Sequence, residues 1–474
     1  METEKFIKNS IKFCVPSVVS AIVAIAVIPL VSNVYPTDEY GKINLFYSVG
    51  NMLLYVCLLG LDSAYIRFYF ERPDDVKKEQ LFSLAMWTGV GTITVLTVLV
   101  IAFVPDLVSE YMFGELNYIC IIGMLLYVVG LVVLRLISIE ARMDARSLRY
   151  NIIQILLILT GRVSFIVVAI YSTFYQYSIL AISCTTFVLG VAFCIGFNKI
   201  KALTFPKLKK KSLRMVFLFA LPLMPATIMI WLNNSLGKMI LSGYGNYDDV
   251  GILSIATSVS NVFSVIPAAF TVYWSPFMYK NHKKEHVFIK NAHDYVCLLI
   301  AVLVACFCLF QDIIYIFVGV DYKSSQSYIM LVMLLPIQSL FCETTGYGIS
   351  LSKKTQYSLL VSVTAVATNF VLGVLLYRII GVYGVTIGIA ASAVIMMILT
   401  SVIGQHFYCS INDKRKSVVT MAIVVAVSVA NTFVYNDLSI RIIIGLMVLG
   451  ISGVIFHVQV KRCISSFVKV IKRI

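Results

Sequence analysis

Six residues in the interior of this chain carry chemistry that an apolar environment does not tolerate cheaply. Arg162 is the twelfth residue of an apolar run beginning at Asn151. A charge at the centre of a bilayer costs roughly 2.5–3.5 kcal/mol on insertion scales, so such a residue is a functional candidate by default. Arg162 either faces a polar cavity or serves as a structural hydrogen-bond donor. Asp62 lies in another apolar run, five residues before Arg67. That spacing is roughly 140° around a helix, so the two do not form an intrahelical pair. Asp62 therefore finds a partner on another helix or titrates, and Arg67 is either a cavity cation or an inner-interface anchor. Lys238 shares a helical stripe with Asn234 and Trp231 at spacings of four and seven. Its alternatives are the same cavity or snorkelling to the surface. Glu343 and Glu140 are weaker candidates, because both approach the cytoplasmic ends of their runs.

Cations deep in a bilayer suit an anionic substrate such as a phosphate, which they hold by charge-assisted hydrogen bonds. Tyr65, Tyr69, Trp231, Tyr273 and Trp274 could stack on sugar faces, although at 12% aromatic residues most rings must pack or form interface belts. Bond-making chemistry is not indicated. No loop is long enough to fold as a catalytic domain, and the sequence holds no GxxxxGK[ST], HExxH or Ser-His-Asp arrangement. The chain therefore reads as a non-enzyme. Its 11 cysteines lie mostly inside apolar segments without a CxxC, so they read as small hydrophobes. His282 and His286, four apart, could ligate a metal on a helix, but a solvated basic loop explains them more simply, and no metal is expected.

The elements that must position these residues are membrane helices. With 60% hydrophobic residues, 13% charged and a mean hydropathy of +0.92, the chain has too little polar surface to cover itself in water. Apolar runs of spanning length lie near 11–33, 43–68, 81–104, 118–139, 151–171, 176–197, 215–241, 250–276, 291–318, 327–350, 356–379, 382–406, 417–435 and 439–459. The predicted class is an all-α integral membrane protein of about 14 transmembrane helices. The first run follows Lys5, Lys8 and Lys12 and lacks a small-x-small cleavage site, so it reads as an uncleaved span. Pro16, Pro222, Pro225, Pro267 and Pro336 should interrupt spans, as hinges or as static kinks. The net charge of +15 does not indicate a nucleic-acid partner, since the basic residues fall in short clusters between apolar runs. With the N-terminus inside, 32 of the 38 Lys and Arg fall on inward segments, Arg135 among them, and only Lys42, Lys323, Arg378 and Arg441 on outward loops. Both termini are then cytoplasmic.

An internal repeat organises the spans. DEYGKINLFYSVGN at 38–51 and DDVGILSIATSVSN at 248–261 align at an offset of 210, matching Asp38/Asp248, Gly41/Gly251, Ser48/Ser258, Val49/Val259 and Asn51/Asn261. Pro16 and Pro222 are parallel upstream. Six spans separate the copies, which predicts two six-helix bundles related by a pseudo-two-fold along the membrane normal. The expected divisions are 1–197, a basic cytoplasmic linker 198–214, a second bundle 215–408, and two extra helices with a basic tail over 409–474.

This arrangement resembles the polysaccharide transporters (O-antigen flippases) of the multidrug/oligosaccharidyl-lipid/polysaccharide exporter superfamily. The similarity rests on PTDEYG after the first span, LGLDSAYIRFYFER at Leu59–Arg72, and LPLMPATIMIWLNNSLGKMIL followed by DDVGILSIA. It covers nearly the whole chain with short motifs. One departure is Gly237–Lys238, where the family often has an acidic-basic dipeptide, so no acid-coupled role is carried to that position. The resemblance implies a flippase in the bacterial inner membrane for polyprenyl-diphosphate-linked oligosaccharide, serving O-antigen, lipopolysaccharide, capsule or exopolysaccharide assembly. It further implies alternating access around a cationic cavity, proton or sodium coupling, and association with polymerase machinery. Arg67, Arg162 and Lys238 would then meet diphosphate or acidic sugars, with Asp62 a coupling or structural acid. The competing readings are an ion-coupled drug or metabolite exporter of the same superfamily, a membrane polysaccharide polymerase, and a scaffold.

Overall fold

A computed structural model of the chain describes residues 15–69, 76–144, 146–197, 199, 204, 205, 208–352, 354, 356–462 and 465. Lys5, Lys8, Lys12, Arg72, much of the linker 198–214 and most of the basic tail lie outside the described residues. Every regular element among those described is helical: α1 (Val15–Val34), α2 (Thr37–Leu58), α3 (Leu61–Phe68), α4 (Lys78–Phe103), α5 (Pro105–Phe113), α6 (Tyr118–Met143), α7 (Ser147–Arg162), α8 (Ser164–Ala169), α9 (Tyr175–Gly196), α10 (Lys210–Ala220) and α11 (Met224–Gly243). There follow α12 (Tyr247–Phe263), α13 (Val265–Asn281), α14 (His286–Tyr315), a 3-10 segment (Val320–Ser327), α15 (Ile329–Val332), α16 (Leu334–Thr345), α17 (Tyr347–Leu351), α18 (Gln356–Ile380), α19 (Val382–Phe407), α20 (Lys414–Val434) and α21 (Leu438–Ile455). In lipid a helix satisfies its own backbone, which is why long apolar runs take this form. Polar residues mark several starts: Asn117, Asp413 and Asp437 each accept a backbone N–H of the first turn of α6, α20 and α21. Among the described residues twelve helices, three of them joined pairs such as α7 with α8, are long and apolar enough to cross a membrane, and 14 if two bent pairs count as one span each.

The first bent pair corrects the reading of 43–68 as a continuous span, whereas the second bend falls at the start of the run 327–350. The helix axis turns by 56° between α2 and α3, and by 62° between the 3-10 segment and the helix after it. At the first bend Leu59 and Gly60 both take left-handed conformations, φ 49° and 75°. Hydropathy does not encode such a turn. Gly60 is needed there twice over, since a side chain on it would also collide with the carbonyl of Ala220 on α10. Leu59 has no such exemption and holds a conformation that costs on the order of 1–3 kcal/mol. The prolines lie where helices restart: Pro222 between α10 and α11, and Pro225, Pro267 and Pro336 in the first turns of α11, α13 and α16. A first turn tolerates the missing N–H.

The helices pack into two compact units, 1–255 with 320–322, and 256–319 with 323–474. These are units of packing, and their border differs from the division expected of the repeat. In the first unit α6 and α9 approach closely through Gly130 and Gly190. In the second, α18 and α19 form the tight hairpin that the sequence suggests, turning on Gly381 at φ 60°. Polar pairs along α14 hold α20 and α21 to it. Asp294 accepts from Gln459 at 2.8 Å and lies 3.9 Å from Lys416, and Gln311 donates to Asn431 at 2.8 Å. Arg441 pairs with Asp312. Arg441 is thus no outward-loop cation: it is 1% exposed in the first turn of α21. The carbonyl of Cys308 and the carboxylate of Asp312 accept from its guanidinium and take the place of water.

Candidate functional site

Two antiparallel faces of the first unit bring most of the sequence candidates together. On α11, Trp231 and Lys238 stand seven residues apart; on α2, so do Ser48 and Tyr55. Seven residues are about two helical turns, so each pair shares a face. The two faces meet in register. Lys238 Nζ is 3.4 Å from Ser48 Oγ, and the Trp231 ring stacks on Tyr55 with centroids 5.2 Å apart and planes at 24°. Asn234, between Trp231 and Lys238 on the stripe, is exposed. Lys238 thus makes its contact on α2.

Arg162 closes the upper end of this strip. It is the last residue of α7, half-buried, at a break before α8. Gly161 beside it lets α7 approach Tyr47, the neighbour of Ser48: a side chain there would lie 3.0 Å from the tyrosine ring. Arg162 and Lys238 stand within electrostatic reach of each other. Among the described residues neither has a carboxylate within ion-pair distance.

Arg135 stands at the lower end of the strip, with a partner that sequence reasoning did not supply. Arg135 was expected on an inward segment. It lies inside α6, with Nη2 3.1 Å from Asp62 Oδ2 and its guanidinium 5.6 Å from the centre of the Tyr55 ring. Its side chain is 33% exposed, against 7% for Asp62. In LVVLRLISIEARM (131–143) apolar residues flank Arg135 on both sides, and α6 runs on to Met143. Asp62 thereby has the partner on another helix that its burial demands. Arg67, a turn and a half further along α3, is exposed and does not join that pair. Tyr47, Asn51 and Tyr127 supply polar edges nearby, Asn51 donating to Tyr127 Oη at 3.2 Å.

The remaining candidates stand apart from this strip. Glu140 pairs with Lys199 near the end of α6. Glu343 belongs to the second unit, half-buried on α16, where Tyr347 Oη lies 3.4 Å away. Trp274 is buried with Met278 and Ile289 as packing, and Tyr65 is buried too, which leaves neither ring a face for a sugar. Tyr69 donates to Asp144 at 2.6 Å. His286 stacks on Tyr408. Among the described residues no group of three or more His, Cys, Asp or Glu is placed to hold a metal ion.

The described residues are helical throughout, with up to 14 candidate membrane spans, which is the build of a multi-pass membrane protein. The family model described as polysaccharide biosynthesis protein matches residues 6–282, more than half of the chain. The chain belongs to that family. Among solved structures it is similar to the lipid II flippase MurJ in its inward closed conformation: TM-score 0.71 and 13% identity, over 95% of this chain and 99% of that one. It is also similar to an inward-facing multidrug resistance MATE family transporter of the MOP superfamily: TM-score 0.56 and 14% identity, over 86% and 98%. These likenesses give the fold, and with the family they bear out the resemblance to polysaccharide transporters of that superfamily. No curated protein matches the chain.

Proposed function

We propose that this protein is a flippase that carries a polyprenyl-diphosphate-linked oligosaccharide from the inner to the outer leaflet of the bacterial inner membrane. Both termini are cytoplasmic in this reading. The observation that carries it is the pair Lys238 and Arg162, two intramembrane cations without a carboxylate partner among the described residues. A diphosphate supplies two adjacent negative charges and several acceptor oxygens, and so complements that pair. The Trp231–Tyr55 stack, about two turns along the same faces, offers a flat apolar surface to a sugar ring. Arg135, beside Tyr55 and a third exposed, adds a cation for an acidic sugar. Transport by alternating access uses the halves 1–197 and 215–408, joined by the linker 198–214, with 409–474 appended. Coupling to a proton or sodium gradient and delivery to a polysaccharide polymerase belong to the same proposal.

The test is the leaflet distribution of lipid-linked oligosaccharide in cells with and without the chain, read by an external glycosidase on spheroplasts. Accumulation of the protected, inward-facing intermediate on deletion supports the proposal. Repeat units that reach the outer leaflet but stay unjoined would indicate a polymerase instead. An unchanged distribution contradicts flipping and leaves a small-molecule exporter as the reading.

A further inference from the structure

The two repeat copies meet at a contact that is its own image. A side chain on Gly41 would collide with the carbonyl of Tyr247 and lie 3.0 Å from the backbone nitrogen of Gly251. One on Gly251 would collide with the carbonyl of Thr37 and lie 3.3 Å from the backbone nitrogen of Gly41. Thr37 and Tyr247 are related by the same offset of 210 that relates the two glycines. Each copy thus sets its own first turn against the glycine of the other, the reciprocity of an isologous interface. Small residues at a crossing let two helices touch backbone to backbone, and leave few interdigitated side chains to separate.

Few side chains fasten this crossing. The Thr37 hydroxyl donates to Asp248. Lys42 lies between the rings of Tyr175 and Tyr247, 5.0 and 5.5 Å from their centres. Tyr322 donates to the carbonyls of Tyr35 and Pro36 at 2.9 and 3.1 Å. About two turns along α2 from Gly41, on the same face, stands Ser48, the residue that Lys238 touches. The crossing therefore lies about two turns along α2 from the contact that Lys238 makes.

We propose that the Gly41–Gly251 crossing is the outer gate, closed in this structure, and that an anion taken up by Lys238 and Arg162 releases it by drawing Lys238 from Ser48. This rests on the flippase reading and its orientation, and adds to it how the site is regulated. An empty site keeps Lys238 on α2 and the crossing shut. A bound diphosphate takes over the lysine, neutralises the two cations and frees the first turns of α2 and α12 to part.

The test uses the full chain in spheroplasts, with Asn44→Cys, one turn below Gly41, as reporter for a membrane-impermeant maleimide. The unsubstituted chain gives the background, and Leu116→Cys and Lys283→Cys report the outer and inner faces. Asn44→Cys should label at background from outside, and rise to the level of Leu116→Cys when combined with Gly41→Val, which props the crossing apart. Labelling of Asn44→Cys that is the same with and without Gly41→Val overturns the gate. External labelling of Lys283→Cys but not Leu116→Cys overturns its outward assignment. Because Gly41→Val could also hinder folding, a second variant joins Thr37→Cys to Asp248→Cys with a short cleavable thiol cross-linker. Cross-linking should stop outward flipping and cleavage should restore it. Undiminished flipping by a fully cross-linked chain overturns the gate while leaving the flippase reading intact. An unchanged leaflet distribution on deletion, with gated maleimide labelling, strikes the flippase reading alone.

Discussion

Two regions of this protein bury charge in helices and use it in opposite ways. Along α14 the charges are paired and hold helices together: Asp312 with Arg441, and Asp294 with Lys416 and Gln459. Where α7 and α11 meet α2, the cations Arg162 and Lys238 have no carboxylate within reach among the described residues, and Lys238 lies 3.4 Å from a serine hydroxyl. A buried pair that is broken leaves an uncompensated charge, so the first arrangement serves as glue. A cation left without its counter-charge in a membrane is expensive and is retained where a ligand completes it. Burial of an ionisable group is common to both regions; a carboxylate partner among the described residues is found only in the first.

Substitutions that neutralise each region sharpen this contrast. Removing both unpaired cations, Arg162→Ala with Lys238→Ala, should lower flipping by roughly 100-fold, and each alone by roughly tenfold. A charge-assisted hydrogen bond contributes about 1.5–3 kcal/mol, and 1.4 kcal/mol is a factor of ten. The leaflet assay reads these rates, while thermal unfolding in detergent should show little change. Arg135→Leu should lower the flipping of acidic repeat units and, unlike the other two, also lower stability by about 1–3 kcal/mol. That is less than for a fully buried pair, because the arginine is a third exposed. The double variant Arg135→Leu with Asp62→Leu should recover the unfolding temperature, and no recovery would mean that the pair is not what holds α3 to α6. Arg441→Leu should cost about 1 kcal/mol of stability and leave flipping per folded molecule unchanged, since the Asp312 left behind is half-exposed. A loss of specific flipping there would erase the distinction between the regions. Trp231→Ala should reduce flipping roughly two- to tenfold, matching about 0.5–1.5 kcal/mol for an aromatic stack, with Trp231→Phe close to the native rate.

Much of this contrast was legible in the sequence, and the parts that were not have physical causes. Apolar runs of spanning length gave the number of helices, because hydropathy and helix length are coupled in a bilayer. Arg162 and the Trp231–Asn234–Lys238 stripe stood out for the same reason. The partners of Arg135 and Arg441 were not legible, because counting basic residues by loop sorts them by sequence position, whereas Asp62 and Asp312 meet them from other helices. The bends at Leu59–Gly60 and before Ile329 depend on backbone torsions and on the approach of α10, and neither leaves a trace in apolar content. The glycine repeat was visible as Gly41/Gly251, but a sequence match does not reveal that the two copies touch each other.

The central claim, that the unpaired cations receive a diphosphate, is tested most directly on the purified protein by thermal unfolding with farnesyl diphosphate and with farnesyl monophosphate. A ligand that binds the folded state raises its stability in proportion to RT ln(1 + [L]/Kd). The account predicts a concentration-dependent rise with the diphosphate, a smaller one with the monophosphate, and loss of the difference in Lys238→Ala and Arg162→Ala. Equal stabilisation by both lipids, unchanged in those variants, would contradict it.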